Sequence, residues 1–190
     1  MIIDAERIGS GHAPAGVRVD FQDRRGEAAP LPVDADRLGR LLAATLDRVG
    51  VPGPARVEVT WVDPDEIAQL NADHLDGDGP TDVLSFPLDP FPDEADTPGD
   101  PIDPLWGRMV GDVVIAPDVA AAQAAGHAGT PADELALLVV HAGLHLAGHD
   151  HAEPDERAAM VALERELLAD HWGPLAADPW APDHPAVGHG

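Results

Sequence analysis

The stretch Leu135-Ala136-Leu137-Leu138-Val139-Val140-His141-Ala142-Gly143-Leu144-His145-Leu146 is the most apolar in the chain, yet it carries two histidines four residues apart. Its aliphatic positions Leu137, Leu138, Val139, Val140, Leu144 and Leu146 predict a helix with a buried stripe. Histidines at this spacing project from one helical face, roughly 6 Å apart at the backbone. Gly148 breaks the helix and lets the chain turn back, and His151 follows three residues later. One histidine in such a helix reads as a cap or a core residue. Three, in the pattern H-x3-H-x2-G-x2-H, are costly to bury unless they share a partner, and that partner is a metal ion.

Cysteine is absent, so any metal must sit on His, Asp or Glu. Zinc bound by nitrogen at about 2.0–2.1 Å needs a third ligand from another direction than the helix. His149 and His151 both qualify by spacing. Continued as helix, His149 would lie about 12 Å along the axis from His141, so the turn at Gly148 favours His151. Three neutral imidazoles leave a fourth position for water, whose pKa falls towards 7, and this points to catalysis. A fourth ligand such as Asp82 or Asp150 would instead make a closed, structural site. His12, His127, His171, His184 and His189 stand outside any histidine set at ligand spacing, so one zinc per chain is expected.

The surrounding pattern predicts a single α+β domain over residues 1–173, with a small mixed four-stranded sheet, about five helices and the metal site at a helix end. Strands are expected around residues 17–21, 57–62, 81–86 and 110–115, after an irregular lead. Helices are expected from Asp34 or Asp36 to Gly50, from Pro64 to Leu75, from Pro117, from Pro131 to Ala147 under a Thr130 cap, and from Asp155 to Asp170. Residues 89–104 are expected to form an acidic, Pro-rich loop, and residues 174–190 a disordered tail.

With 11 basic residues, all arginine, against 35 acidic ones, the net charge is −24. Such a balance opposes tight binding to free nucleic acid. No window approaches eighteen apolar residues and the start lacks a signal-peptide pattern, so no membrane partner and a cytoplasmic location are expected.

The histidine spacing matches that of the metzincin metalloproteases, which place a glutamate base directly after the first histidine; here that position is Ala142. A much closer resemblance is to the bacterial YbeY endoribonucleases. It is carried by His141-Ala142-Gly143-Leu144-His145-Leu146-Ala147-Gly148-His149-Asp150-His151, by Pro80-Thr81-Asp82-Val83-Leu84-Ser85-Phe86-Pro87, by Gly111-Asp112-Val113-Val114-Ile115 and by Glu134-Leu135. The resemblance implies zinc held by His141, His145 and His151, cleavage of single-stranded RNA, maturation of the small-subunit ribosomal RNA 3′ end, and ribosome quality control. Asp82 and Asp150 are candidates to orient a ligand imidazole or act as base. Ser85 and Arg108 are candidate substrate contacts. Leu75 stands where the family usually has an arginine suited to phosphate. An acidic chain lacking it would rely on ribosomal proteins or an assembly GTPase to deliver a ribosomal RNA precursor. The alternatives are a zinc peptidase or other hydrolase, and a non-catalytic ribosome-assembly factor with structural zinc.

Overall fold

The computed structural model describes residues 7–12, 16–26, 29–75, 77–88 and 107–181. In them the chain forms β1 (Arg7–His12), β2 (Val17–Asp23), α1 (Ala35–Arg48), β3 (Ala55–Trp61), α2 (Pro64–Leu75), β4 (Val83–Pro87), β5 (Arg108–Ile115), α3 (Pro117–Ala124), α4 (Pro131–Leu146) and α5 (Pro154–His171).

Strict alternation sets the sheet's buried face. Val17, Val19 and Phe21 in β2, and Ala55, Val57, Val59 and Trp61 in β3, are buried in turn with half-buried polar neighbours between them. The strands run in the order β1-β2-β3-β5-β4. β2, β3 and β5 are parallel, while β1 and β4 close the two edges antiparallel. α1 makes the crossover between β2 and β3 and lays Leu38, Leu41, Leu42 and Leu46 onto this face, where α4 packs beside it. Each fully buried leucine contributes about 1.5–3 kcal/mol of transfer free energy. The two helices meet closely at Gly143: a Cβ there would stand 2.8 Å from Leu42 Cδ1 and 2.9 Å from Thr45 Cγ2. On the opposite face a smaller cluster of Val62, Ile67, Leu84, Val114 and Ala116 seats α2.

The expected α+β class, mixed sheet and five helices are all present among the described residues, and the four expected strands are β2 to β5. Two features differ. The lead read as irregular contains β1, a fifth strand that pairs with β2 through an irregular register. The tail read as disordered from Pro174 is ordered as far as Ala181. There Ala177 N donates to Ala128 O at 3.0 Å, Ala176 N to Asp133 Oδ2 at 3.2 Å, and Trp180 packs against the main core. Residues 89–104 and 182–190 lie outside the described residues.

Candidate metal centre

α4 is fixed at its beginning by two devices. Thr130 caps it, its side chain accepting from Asp133 N at 3.2 Å. Glu134, fully buried, bonds His127 Nδ1 at 2.8 Å through one oxygen and accepts from Ala128 N at 3.1 Å through the other. At the other end Gly148 adopts φ +85°, a left-handed conformation that suits glycine, and reverses the chain. Asp150 Oδ1 accepts from His151 N at 2.7 Å and shapes the segment that returns.

The reversal brings His151 against the two helical histidines. Ring centroids lie 4.6 Å apart for His141 and His145, 4.9 Å for His145 and His151, and 5.6 Å for His141 and His151. One nitrogen from each of the three falls within 4.8 Å of the others, so the group can hold a metal ion. The Nε2 atoms of His141 and His145 are 3.1 Å apart. Two nitrogens at 2.0–2.1 Å from a tetrahedral ion stand about 3.3 Å apart, so the pair fits such an ion with little adjustment. Burial, followed by the neighbouring His141 and His151, lowers the His145 pKa from 6.5 to about 4, with Asp150 and a backbone hydrogen bond to His149 opposing the shift. Near neutral pH this imidazole keeps its lone pair free to ligate.

A buried carboxylate that the sequence reading missed completes the arrangement. Glu164 of α5 bonds His141 Nδ1 at 2.8 Å through Oε1 and accepts from Trp180 Nε1 at 2.8 Å through Oε2. His141 and Glu164 are 5% and 3% exposed, so this contact is shielded from water. Twenty-three residues separate the pair in sequence. The available signal was the placing of Glu164 within the α5 stripe of Met160, Leu163, Leu167 and Leu168, where a charged group has no reason to be buried without partners.

The other candidates stand on other elements. Asp82 is 2% exposed and tied into the scaffold: Oδ1 accepts from Val83 N at 2.9 Å and from Thr81 Oγ1 at 3.3 Å, Oδ2 accepts from the Gln123 amide, and its backbone carbonyl accepts from Ala116 N. These bonds join β4 to α3. The carboxylate bonded to an imidazole of the three-histidine group is Glu164. Ser85 is half-buried in β4 opposite Val113, and alternation puts it on the face that α4 covers. Arg108 opens β5 opposite Ala55. Leu75, at the end of α2, is 46% exposed, beside His74, whose ring meets Phe86 edge-on. Ala142, where a metzincin would carry its base, is fully buried.

A family model described as Endoribonuclease YbeY matches residues 29–171. The endoribonuclease YbeY of Thermobifida fusca is 45% identical over 141 residues, 73% of this chain and 86% of the relative. That of a Nocardioides species is 47% identical over 73% of this chain and 89% of its own. For Kineococcus radiotolerans the identity is 37%, over 90% of this chain and 95% of the relative. A solution structure of a Thermotoga maritima protein is similar with a TM-score of 0.52 at 27% identity, covering 83% of this chain and 89% of that one. The histidine turn and Glu164 lie inside the matched span, and the relatives are matched over most of their own length: the chain belongs to the endoribonuclease YbeY family.

Proposed function

We propose that the protein is a zinc-dependent endoribonuclease acting on single-stranded RNA in the maturation of ribosomal RNA and in ribosome quality control. The observation that carries this reading is the convergence of His141, His145 and His151 at the end of α4 within a chain of this family. His141, His145 and His151 would hold the zinc ion, which would supply Lewis acidity and an activated water for hydrolysis.

The chain's own residues do the rest. His141 and His145 present Nε2, and the Glu164 carboxylate accepts a hydrogen bond from the N–H that His141 then carries on Nδ1. Asp150 holds the backbone of His151. In this reading Ser85, on the α4 face of β4, and Arg108, at the start of β5, contact the substrate. The buried Ala142 leaves a metzincin-type peptidase without its base.

A net charge of −24 leaves few groups to neutralise phosphates, so affinity for free RNA is low and its salt dependence shallow. Basic ribosomal proteins or an assembly GTPase then deliver the ribosomal RNA precursor, drawn by the acidic surface. The proposed setting is the cytoplasm; among the described residues no helix is long and apolar enough to cross a membrane.

The test compares cleavage of matched single-stranded and duplex RNA by the wild type and by His145→Ala. Cleavage of the single strand by the wild type alone supports the reading. Equal rates on both substrates contradict it, as does full activity in the variant. Stoichiometric zinc without cleavage would mark a non-catalytic assembly factor.

A further inference from the structure

We propose that Trp180, in the segment following α5, is a positioning residue for His141 that acts through Glu164; the inference rests on reading the three histidines as metal ligands. His141 turns Nε2 towards His145 Nε2 at 3.1 Å. An imidazole that ligates through Nε2 carries its proton on Nδ1 and needs an acceptor there to fix its tautomer and ring plane. Glu164 Oε1, at 2.8 Å, is that acceptor. A carboxylate with one engaged oxygen can still swing about its side-chain torsions. The second oxygen accepts from Trp180 Nε1 at 2.8 Å, and the two bonds on opposite oxygens set the carboxylate plane.

The indole is itself held in place. The Arg165 guanidinium lies over its ring, 4.5 Å from the centroid. Asp178 accepts from Trp180 N at 3.1 Å and from Arg165 Nη2 at 3.1 Å. Ala177 N bonds Ala128 O at 3.0 Å, tying the segment to the turn before α4. A Cβ at Gly129 would stand 2.7 Å from Ala176 Cβ, so the segment sits close on that turn. The family match ends at residue 171, and Trp180 lies beyond it. This chain therefore extends the support of its metal centre with residues outside the part that it shares with the family model.

The experiment measures zinc affinity of the full chain by competition with a chromophoric chelator, for the wild type, Trp180→Phe, Glu164→Gln and the double variant. Trp180→Phe keeps an aromatic ring for Arg165 and removes only the N–H donor. It should weaken zinc about 3–10-fold, and Glu164→Gln about 10–100-fold, the usual range for partners of ligating histidines. Rescue distinguishes positioning from packing. In Glu164→Gln one carbonyl is sought by both His141 Nδ1–H and Trp180 Nε1–H. Removing the indole donor frees that carbonyl for His141, so the double variant should bind zinc more tightly than Glu164→Gln alone.

Thermal melting of the zinc-free chains accompanies each titration. Should Trp180→Phe also melt earlier, the comparison of Glu164→Gln with the double variant still reads orientation, because packing loss can only weaken the double variant further. Unchanged affinity in Trp180→Phe would overturn the inference alone, and so would a double variant no tighter than Glu164→Gln. A wild type that binds no zinc would overturn the metal reading and this inference with it.

Discussion

Gly111→Ala puts one methyl group where the end of α4 crosses the β4–β5 pair. Its Cβ would stand 2.5 Å from Phe86 O, 2.6 Å from Leu146 Cδ2 and 3.1 Å from Pro87 Cα. Ordinary carbon contacts begin near 3.5 Å, so strand and helix must separate by about 0.9 Å or distort by as much. The leucine end could rotate if it had room, but Leu146 is 3% exposed and belongs to the main core. The Phe86 carbonyl belongs to a paired strand. Overpacking of this kind costs about 1–3 kcal/mol. For a chain of this size, each kcal/mol lowers the melting temperature by about 2–4 °C, giving a fall of about 2–12 °C. His145 precedes Leu146, so the shift also disturbs the ligand cluster and should weaken zinc about tenfold. The assay is thermal melting of the zinc-free protein together with chelator competition. Leu146→Ala alone should cost about 2–5 kcal/mol. The double variant should be more stable than the sum of the two by about 0.5–3 kcal/mol, because the smaller side chain removes one of the two main clashes. A Gly111→Ala melting point within about 1 °C of wild type would mean that the crossing yields without cost and is not tightly packed.

Glu134→Ala removes a buried carboxylate bonded to His127 and to Ala128 N, and should cost about 3 kcal/mol in a urea titration; a loss under about 1 kcal/mol would show that the contact is dispensable. The zinc-free protein should lose stability as the pH falls from 6.5 towards 4. Between these values the unfolded chain binds a proton at His145 that the folded chain, with its pKa lowered to about 4, does not. The urea midpoint measured against pH should therefore rise across this window, and His145→Gln should flatten the rise; identical profiles for the two proteins would contradict the shift. Leu75→Arg, at an exposed position at the end of α2, should tighten RNA binding and steepen its log–log salt slope by about 0.7, one phosphate contact on a single strand. Filter binding across salt concentrations reads both quantities, and an unchanged slope would remove Leu75 from the substrate path.

The elements that carry the site were legible because their signals are local. The α4 boundaries follow from Thr130, from an unbroken apolar run and from Gly148, and the convergence of His151 with His141 and His145 follows from that turn. The YbeY motifs then assigned a chemistry to the turn. β1 was not legible: Arg-Ile-Gly-Ser-Gly-His has no apolar alternation, and its pairing partner β2 supplies the order that its own residues do not specify. The segment after α5 was misread because Pro, Asp and Ala dominate it. Composition takes no account of two tryptophans whose N–H groups reach buried or half-buried carboxylates, Trp172 on Asp133 and Trp180 on Glu164. The hydrogen bond between Glu164 and His141 was not legible because it joins two helices across a long separation, and spacing along one helix does not report such a contact.

In the proposed function one ion, held by His141, His145 and His151, makes this chain a ribonuclease. The role of the ion is read by stripping the protein with a chelator, adding zinc back in steps, and following cleavage of a single-stranded ribosomal RNA fragment at each step. Activity should rise from zero and level off at about one zinc per chain, the stoichiometry of a single three-histidine site, and His145→Ala should stay inactive throughout. Full cleavage by the stripped wild type, or an equal response to zinc in His145→Ala, would show that the three-histidine site is not what makes the chain a ribonuclease.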